Sequence, residues 1–245
     1  MSLRARVSRA TAFAALAGFV AIQAGATAAI PAKTADGKPY LDGVWMVEKP
    51  QQEAKTVAGT PPPLNPQAAA LYAKRKQARA SGAKTDDPLN DCLPHGVPRL
   101  LSATHPIHIL QKPKQITVLY EANHQSRLFY IGEPLPQPES APDVTYDGYS
   151  VARWDGNALV VDTISMNDKT WLDDAGLPHS ESLRVVERYE LADSEHLRVN
   201  ITVTDPKTFT APWQMQLTFK RRPDLRFHED ACSEKLWNPG TGKAG

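Results

Sequence analysis

The chain has 245 residues, with 28 basic and 27 acidic side chains and a formal net charge of +1. This length suits one domain, or one domain with an arm, because domains commonly hold about 100–200 residues. The nearly balanced charge creates no broad field that would attract nucleic acid or anionic lipid, so we expect neither as a partner.

The first 29 residues have the order of features that is typical of a secretory signal peptide. Three arginines within the first nine residues precede an apolar run from Thr11 to Ile22, and small residues follow through position 29. A membrane-spanning helix needs roughly 20 strongly apolar residues, and this run is shorter and rich in alanine. We therefore predict that residues 1–29 are cleaved, that the mature protein is periplasmic, and that it does not insert into the membrane.

Residues 30–90 are predicted to form an N-terminal arm. A first strand over Tyr40–Val47 leads into a segment, 50–66, whose prolines exclude regular structure. One short helix is expected over Gln67–Ala80, because this stretch is rich in alanine and ends at Ser81-Gly82.

From residue 91 to 245 the sequence becomes a succession of short β-type runs separated by turn residues. The predicted strands are Ile107–Leu110, Ile116–Glu121, Leu128–Ile131, Ser150–Trp154, Ala158–Ile164, Leu183–Leu191, Leu197–Thr204 and Gln214–Arg221. The last two runs alternate apolar and polar side chains, as strands with one buried face do. Because a meander with open edges is prone to aggregate, we predict a mainly β fold, an antiparallel up-and-down barrel.

Cys92 and Cys232 are the only cysteines in the sequence. In an oxidising compartment a single disulfide is the natural expectation, and two separately buried thiols are the alternative. A bridge would close a long loop and stabilise the fold by ~4 kcal/mol in the chain-entropy model. Two cysteines this far apart do not form a structural zinc site.

Glu187 occupies an apolar-face position in the alternating run Leu183–Tyr189. A buried carboxylate must be paired, hydrogen-bonded or shifted in pKa, and the last of these gives a general acid or base. The alternative is a buried ion pair in which Arg127 or Arg153 is the partner. Since Arg153 and Asp162 also interrupt apolar runs, the pattern predicts a charged cluster inside the barrel.

The segment Asp168–Ser182 is too long for a hairpin turn, which predicts a lid at the barrel mouth. His179 is its best catalytic candidate because its unperturbed pKa lies nearest neutral pH. Asp173 would supply a carboxylate, and Trp171 an apolar wall for a ligand. The alternative is a loop that packs Trp171 on the barrel and leaves His179 in solvent.

Further substrate-binding candidates are Arg127 and Arg153 behind the mouth, His124 in the turn before Arg127, and Tyr120 near that turn. A metal site that includes His124 and His179 lacks any tight ligand spacing. No phosphate loop, nucleophile elbow or dinucleotide fingerprint is present. We therefore predict no metal and no cofactor.

Several short motifs lie along the second half of the chain. They are Tyr149–Gly156, Leu159–Thr163, Trp171–Asp173, Pro178–Glu181, Glu187–Tyr189 and Asp205-Pro206. Together they resemble a large family of secreted bacterial proteins, mostly of unassigned function, over about Asp91 to Trp237. The resemblance implies a lipocalin-like (calycin) barrel, a scaffold that elsewhere binds apolar molecules and supports cofactor-free cyclases and isomerases.

These features favour a cofactor-free acid–base enzyme, a lyase or isomerase for a small, largely apolar molecule such as a terpenoid epoxide or a plant-derived aromatic. His179, Glu187 and Asp173 would be its catalytic residues. The alternative is a periplasmic binding protein for a hydrophobic small molecule, and a third hypothesis is an envelope protein whose buried charges only fix the fold. Acid and base groups lining an open pocket would favour the enzyme. Salt-bridged groups in a filled barrel would favour the structural role. An apolar cavity without a His–carboxylate pair would favour the binding protein.

Overall fold

The computed structural model describes residues 32–137, 140, 142–230 and 232. The predicted signal peptide, residues 1–29, lies outside this part of the chain. Within the described ranges, no helix combines the length and the apolar character needed to cross a membrane.

Nine β-strands of the described chain form a closed barrel in sequence order, in which the last strand pairs with the first. They are β1 (Gly43–Val47), β2 (Ile107–Gln111), β3 (Gln115–Tyr120), β4 (Ser126–Ile131), β5 (Tyr149–Asp155), β6 (Ala158–Ile164), β7 (Arg184–Leu191), β8 (His196–Thr204) and β9 (Trp213–Arg221). The one α-helix of these ranges is α1 (Pro66–Ala80), and short 3₁₀ turns cover Pro88–Asp91, Arg99–Ser102 and Ala122–His124. The prediction of a mainly β barrel with one short helix is confirmed.

The strand pair β4–β5 runs parallel, whereas the other neighbouring pairs are antiparallel. The prediction of a purely up-and-down barrel is wrong at this point, because a long connection carries the chain back along the barrel before β5 begins. Register pairs join only Phe129–Ile131 to Ser150–Ala152. The first half of β4 therefore diverges from β5, and the two strands leave a seam.

Strand β1 belongs to the barrel and not to a separate arm, since it pairs with both β2 and β9. The barrel thus begins well before residue 91, the predicted boundary. The segment between β1 and β2 lies outside the sheet as an arm. Its helix starts at Pro66 because the Asn65 side chain accepts a hydrogen bond from the Ala68 N–H, and proline suits the first helical position.

The barrel interior is packed with the chain's own side chains. Along β8 the alternate residues Leu197, Val199, Ile201 and Val203 are 0% exposed, as the alternation predicts. Aromatic side chains from other strands are buried with them in one core, among them Trp45, Phe129, Tyr189 and Phe219. Small barrels of this kind fill their interior or hold one ligand, and these side chains fill it.

Arg221, the last residue of β9, closes one end of the barrel. Its guanidinium lies 4.0 Å from the centre of the Trp45 ring and donates hydrogen bonds to the carbonyl oxygens of Tyr40, Asp42 and Ser194. One side chain thereby joins the segment before β1, the β7–β8 turn and the final strand. Stacking and charge-assisted hydrogen bonds act together at this end.

A disulfide links Cys92 to Cys232, with 5.6 Å between their Cα atoms, and confirms the predicted bridge. It holds the C-terminal segment near the β3–β4 connection. In the same region the backbone N–H of Asp230 donates to His124 Nε2, and that of His228 donates to the Glu121 carboxylate.

Replacing Arg221 by alanine is expected to lower the free energy of unfolding by ~3 kcal/mol, because three carbonyl oxygens lose a charged donor and Trp45 loses its cation–π contact. Arg222→Ala is the matched control. The Arg222 side chain only pairs with Asp224 at the surface, so its loss should change stability by less than about 0.5 kcal/mol. Urea denaturation of both variants at one pH makes the comparison, and equal losses would contradict the closing role of Arg221.

Candidate functional site

An ion pair lies inside the barrel between β4 and β7. Arg127 donates from both terminal nitrogens to the Glu187 carboxylate, at 2.9 and 2.7 Å, and the two side chains are 1% and 0% exposed. Glu187 faces inward because it alternates with Val185 and Tyr189 along β7. The alternative of a buried Glu–Arg pair, with Arg127 as partner, is what the structure shows.

Polar neighbours add further hydrogen bonds to this pair, although Arg127 Nε has no hydrogen-bond partner among the described residues. Tyr189 donates its hydroxyl to Glu187 at 3.0 Å, and Arg127 also donates to Thr163 Oγ1 at 3.1 Å, next to the Ser150 hydroxyl. Burial opposes the charge on Arg127, but the adjacent carboxylate prevails and raises the pKa of Arg127 well above its usual value. Burial, reinforced by Glu187, also raises the pKa of Tyr189. Both groups keep their protons, and the cluster is a fixed structural unit.

His179 is buried in the segment that links β6 to β7. Its Nδ1 lies 3.2 Å from the Ser180 carbonyl oxygen, and its Nε2 lies 2.8 Å from Thr170 Oγ1. A carbonyl only accepts, so Nδ1 carries the proton and Nε2 accepts from the threonine hydroxyl. Burial lowers the pKa of His179, which favours this neutral form. The alternative of a solvated His179 is wrong, because the segment packs onto the fold and buries the imidazole.

Asp173 joins this segment to the arm. Its carboxylate accepts hydrogen bonds from the backbone N–H groups of Ala54, Ala175 and Leu177 and from the Tyr72 hydroxyl, at 2.7–3.0 Å. Four donors from three parts of the chain converge on one buried carboxylate. These four hydrogen bonds fix Asp173 in a structural position. No hydrogen bond in the described chain connects it to His179 or Glu187.

Trp171 is buried between two guanidinium groups and lines no open mouth. The Arg75 and Arg99 guanidinium carbons lie 5.0 and 5.5 Å from its ring centre, which suits cation–π contacts. Arg99 also pairs with Asp87 and Asp174. The predicted lid is thus a packed cap, which α1 and the 3₁₀ turns hold against the barrel.

The remaining candidates are dispersed. Arg153 is exposed on the outer barrel face, and Asp162, also on that face by alternation, pairs with Arg184. Their predicted place in an interior cluster is wrong, because β6 is buried on both faces and its apolar run does not identify the inner one. Tyr120 is buried beside Arg127, and its hydroxyl has no hydrogen-bond partner among the described residues. His124 accepts from the Asp230 N–H at 2.8 Å.

An apolar groove lies between α1 and the proline-rich segment of the arm. We call it the helix groove; its cavity volume is about 580 Å³. Its walls are formed by Ala54, Pro61, Leu64, Ala69, Tyr72 and Ala73. The charged residues at its rim are Glu53, Lys55 and Lys76, and Lys76 Nζ lies 2.6 Å from the Glu53 carboxylate.

A second cleft, of about 360 Å³, opens where β4 and β5 diverge, and we call it the seam cleft. Its lining includes Leu128, Tyr130, Asp147 and Tyr149, and it also includes Arg127 of the interior ion pair. Asp147 is not among the predicted site residues, because no local sequence spacing relates it to the other cleft residues. Neither the helix groove nor the seam cleft has His179, Asp173 or Glu187 in its lining.

Removing one member of the interior ion pair is expected to cost more than removing both. Glu187→Gln leaves a buried guanidinium without a counter-charge and should lower the free energy of unfolding by about 3–5 kcal/mol. The double variant Arg127→Met, Glu187→Gln should be more stable than Glu187→Gln or Arg127→Met alone. Chemical denaturation of the four proteins measures the coupling, and strictly additive losses would contradict a buried pair.

Burial of neutral His179 predicts that the fold loses stability in mild acid. The folded-state pKa is lowered, so below about pH 6.5 the unfolded chain binds the proton more readily and stability falls as pH falls. Between pH 7 and pH 5, His179→Gln should lose less stability than the parent protein. Burial also lowers the pKa of His95. His95 therefore contributes the same loss of stability in acid to both proteins. An unchanged pH dependence in the variant would contradict the assignment for His179.

No known family model matches this chain, and no curated protein matches it. Among solved structures, the "REP1-NXSQ fatty acid transporter" is similar over 76% of this chain and 98% of that chain, at 15% identity and a TM-score of 0.36. The wild-type fluorescent protein UnaG is similar over 74% of this chain and 96% of its own, at 16% identity and a TM-score of 0.33. Similarity at this level carries no conclusion about what this chain binds.

Proposed function

We propose that this chain is a binding protein for a small, largely apolar molecule that carries an acidic group, and that the helix groove holds this ligand. The observation that carries the proposal is the groove itself, a cavity of about 580 Å³ with apolar walls. Cavities of roughly 300–1,000 Å³ with mostly apolar walls and few polar groups are typical of small-molecule sites.

The charges at the rim select the kind of ligand. The Glu53 carboxylate and the Lys76 ammonium neutralise each other at 2.6 Å, so Lys55 leaves the three charged rim residues with one excess positive charge. An apolar body would gain about 25 cal/mol for each Å² that it buries in the groove. A carboxylate or sulfonate on that body would find its counter-charge at Lys55.

The contacts of the predicted catalytic residues favour binding over acid–base catalysis. Glu187 is neutralised by Arg127, Asp173 accepts four hydrogen bonds from the fold, and His179 is held neutral between Thr170 and Ser180. A general acid or base must reach the proton that it transfers. The helix groove contains no histidine, which is the arrangement expected of the binding protein.

We place this binding function in the periplasm. The N-terminal pattern of basic, apolar and small residues supports export, and the Cys92–Cys232 disulfide suits an oxidising compartment. Membership of the secreted bacterial family that the sequence resembles is part of the same proposal.

Filling the groove is expected to abolish binding. 1-Anilinonaphthalene-8-sulfonate is an apolar fluorescent anion that suits the groove, and its fluorescence on titration reports binding. Ala73→Trp should weaken binding at least 10-fold because the indole occupies the cavity. Ala70→Trp is the control, since Ala70 is exposed on α1 outside the groove lining. If both variants bind like the parent protein, the helix groove is not the site.

Lys55→Ala separates the charge effect from the apolar one. This variant should weaken binding of 1-anilinonaphthalene-8-sulfonate about 3-fold or more, in the range of an exposed ion pair. It should leave binding of the neutral analogue N-phenyl-1-naphthylamine unchanged. An equal loss for both probes would contradict the proposed preference for an anion.

A further inference from the structure

The seam cleft has aromatic walls. The rings of Tyr130 and Tyr149 stack with their centres 5.3 Å apart and their planes 24° apart. Leu128, beside them, is 40% exposed, which is unusual for a large apolar side chain in this fold. The Tyr149 hydroxyl donates to the Glu133 carboxylate at 2.7 Å and so fixes its ring. The cleft therefore offers a rigid aromatic surface to a flat ligand.

One carboxylate in this cleft has no cationic partner in direct contact among the described residues. Of the two charged residues in the lining, Arg127 is already neutralised by Glu187. Within the described part of the chain, Asp147 accepts only from the side-chain amide of Gln125, at 3.1 and 3.2 Å. The cleft thus carries an excess negative charge at Asp147.

A second hydrogen bond holds the Gln125 amide in one orientation. Gln125 Oε1 accepts from the His95 backbone N–H at 3.1 Å and lies 3.0 Å from His95 Nδ1. With its oxygen turned to His95, the amide can present only its NH₂ group to Asp147. The carboxylate is therefore positioned by a neutral donor, which leaves its charge available to a ligand.

The electrostatics of Asp147 agree with this geometry. Burial raises the pKa of Asp147, and this effect outweighs the lowering effects of the Arg127 charge and the Gln125 hydrogen bond. A cation bound beside the carboxylate would compensate for the hydration that burial removes and would favour the ionised form of Asp147.

We propose that the seam cleft binds a small aromatic ammonium ion, with its ring against Tyr130 and Tyr149 and its ammonium group beside Asp147. Tyrosine faces attract cations, and a half-buried carboxylate adds a charge-assisted hydrogen bond. The site is separate from the helix groove and has the opposite charge preference. The proposal does not rest on the function proposed for the groove.

Benzylamine and its neutral analogue benzyl alcohol test the charge requirement. Isothermal titration of the full mature chain should show saturable benzylamine binding and markedly weaker binding of benzyl alcohol. Asp147→Asn should weaken benzylamine at least 10-fold and leave benzyl alcohol unchanged. Tyr130→Ala should weaken both, because the ring surface is shared.

Asp143→Asn is the matched control, because it removes an exposed carboxylate from the same connection without touching the cleft lining. It should bind benzylamine like the parent protein, and circular dichroism of each variant confirms folding. No benzylamine binding up to about 20 mM, far weaker than a specific site, would overturn the proposal. An equal loss in Asp147→Asn and Asp143→Asn would also overturn it. Binding of 1-anilinonaphthalene-8-sulfonate by Asp147→Asn should be unchanged, so the two sites succeed or fail separately.

Discussion

The architecture of this barrel depends on the ion pair between Arg127 and Glu187. Moving either charge out of water costs several kcal/mol, and close geometry with additional hydrogen bonds offsets that cost. The structure supplies two parallel N–H···O bonds, the Tyr189 hydroxyl and the hydroxyls of Thr163 and Ser150, while Arg127 Nε has no hydrogen-bond partner among the described residues. These residues come from β4, β5, β6 and β7, so one charged unit ties together the strands on both sides of the seam. Where backbone pairing between β4 and β5 is short, side-chain bonding takes its place.

The same ion pair keeps Glu187 from acting as a general acid or base inside the barrel. The Glu187 carboxylate accepts from two guanidinium nitrogens and a tyrosine hydroxyl and is 0% exposed, so a substrate proton cannot reach it. Apolar side chains that are almost completely buried occupy the rest of the interior. Both proposed binding sites therefore lie outside the barrel interior, where the arm and the long connections pack against the strands. This is the usual division of labour between a scaffold and its loops.

Most of the fold could be predicted from alternation, and most of the candidate site could not. Strands with one polar face, such as β8 and β9, reveal their register directly, and the inward direction of Glu187 followed from the same rule. In β6 both faces are buried, so the pattern could not show that Asp162 points outward. The parallel β4–β5 pair depends on the path of a long connection, which no periodicity encodes. The contact of His95, Gln125 and Asp147 is invisible in sequence because the three residues lie in separate non-strand segments, and only the closed barrel brings them together.

The helix groove and the seam cleft differ in charge because, among the residues that the structure describes, a lysine lacks an acidic partner in the groove, whereas an aspartate lacks a basic partner in the cleft. In the groove, Glu53 neutralises one of two lysines; in the cleft, Glu187 neutralises Arg127 and Asp147 has only an amide. Each excess charge lies beside apolar or aromatic surface, which is the combination that selects an amphipathic ion over a neutral molecule. Coupling between two sites requires an element with two arrangements that both ligands bias. The packed barrel between them holds its side chains in one arrangement, so an anion in the groove and a cation in the cleft should bind independently.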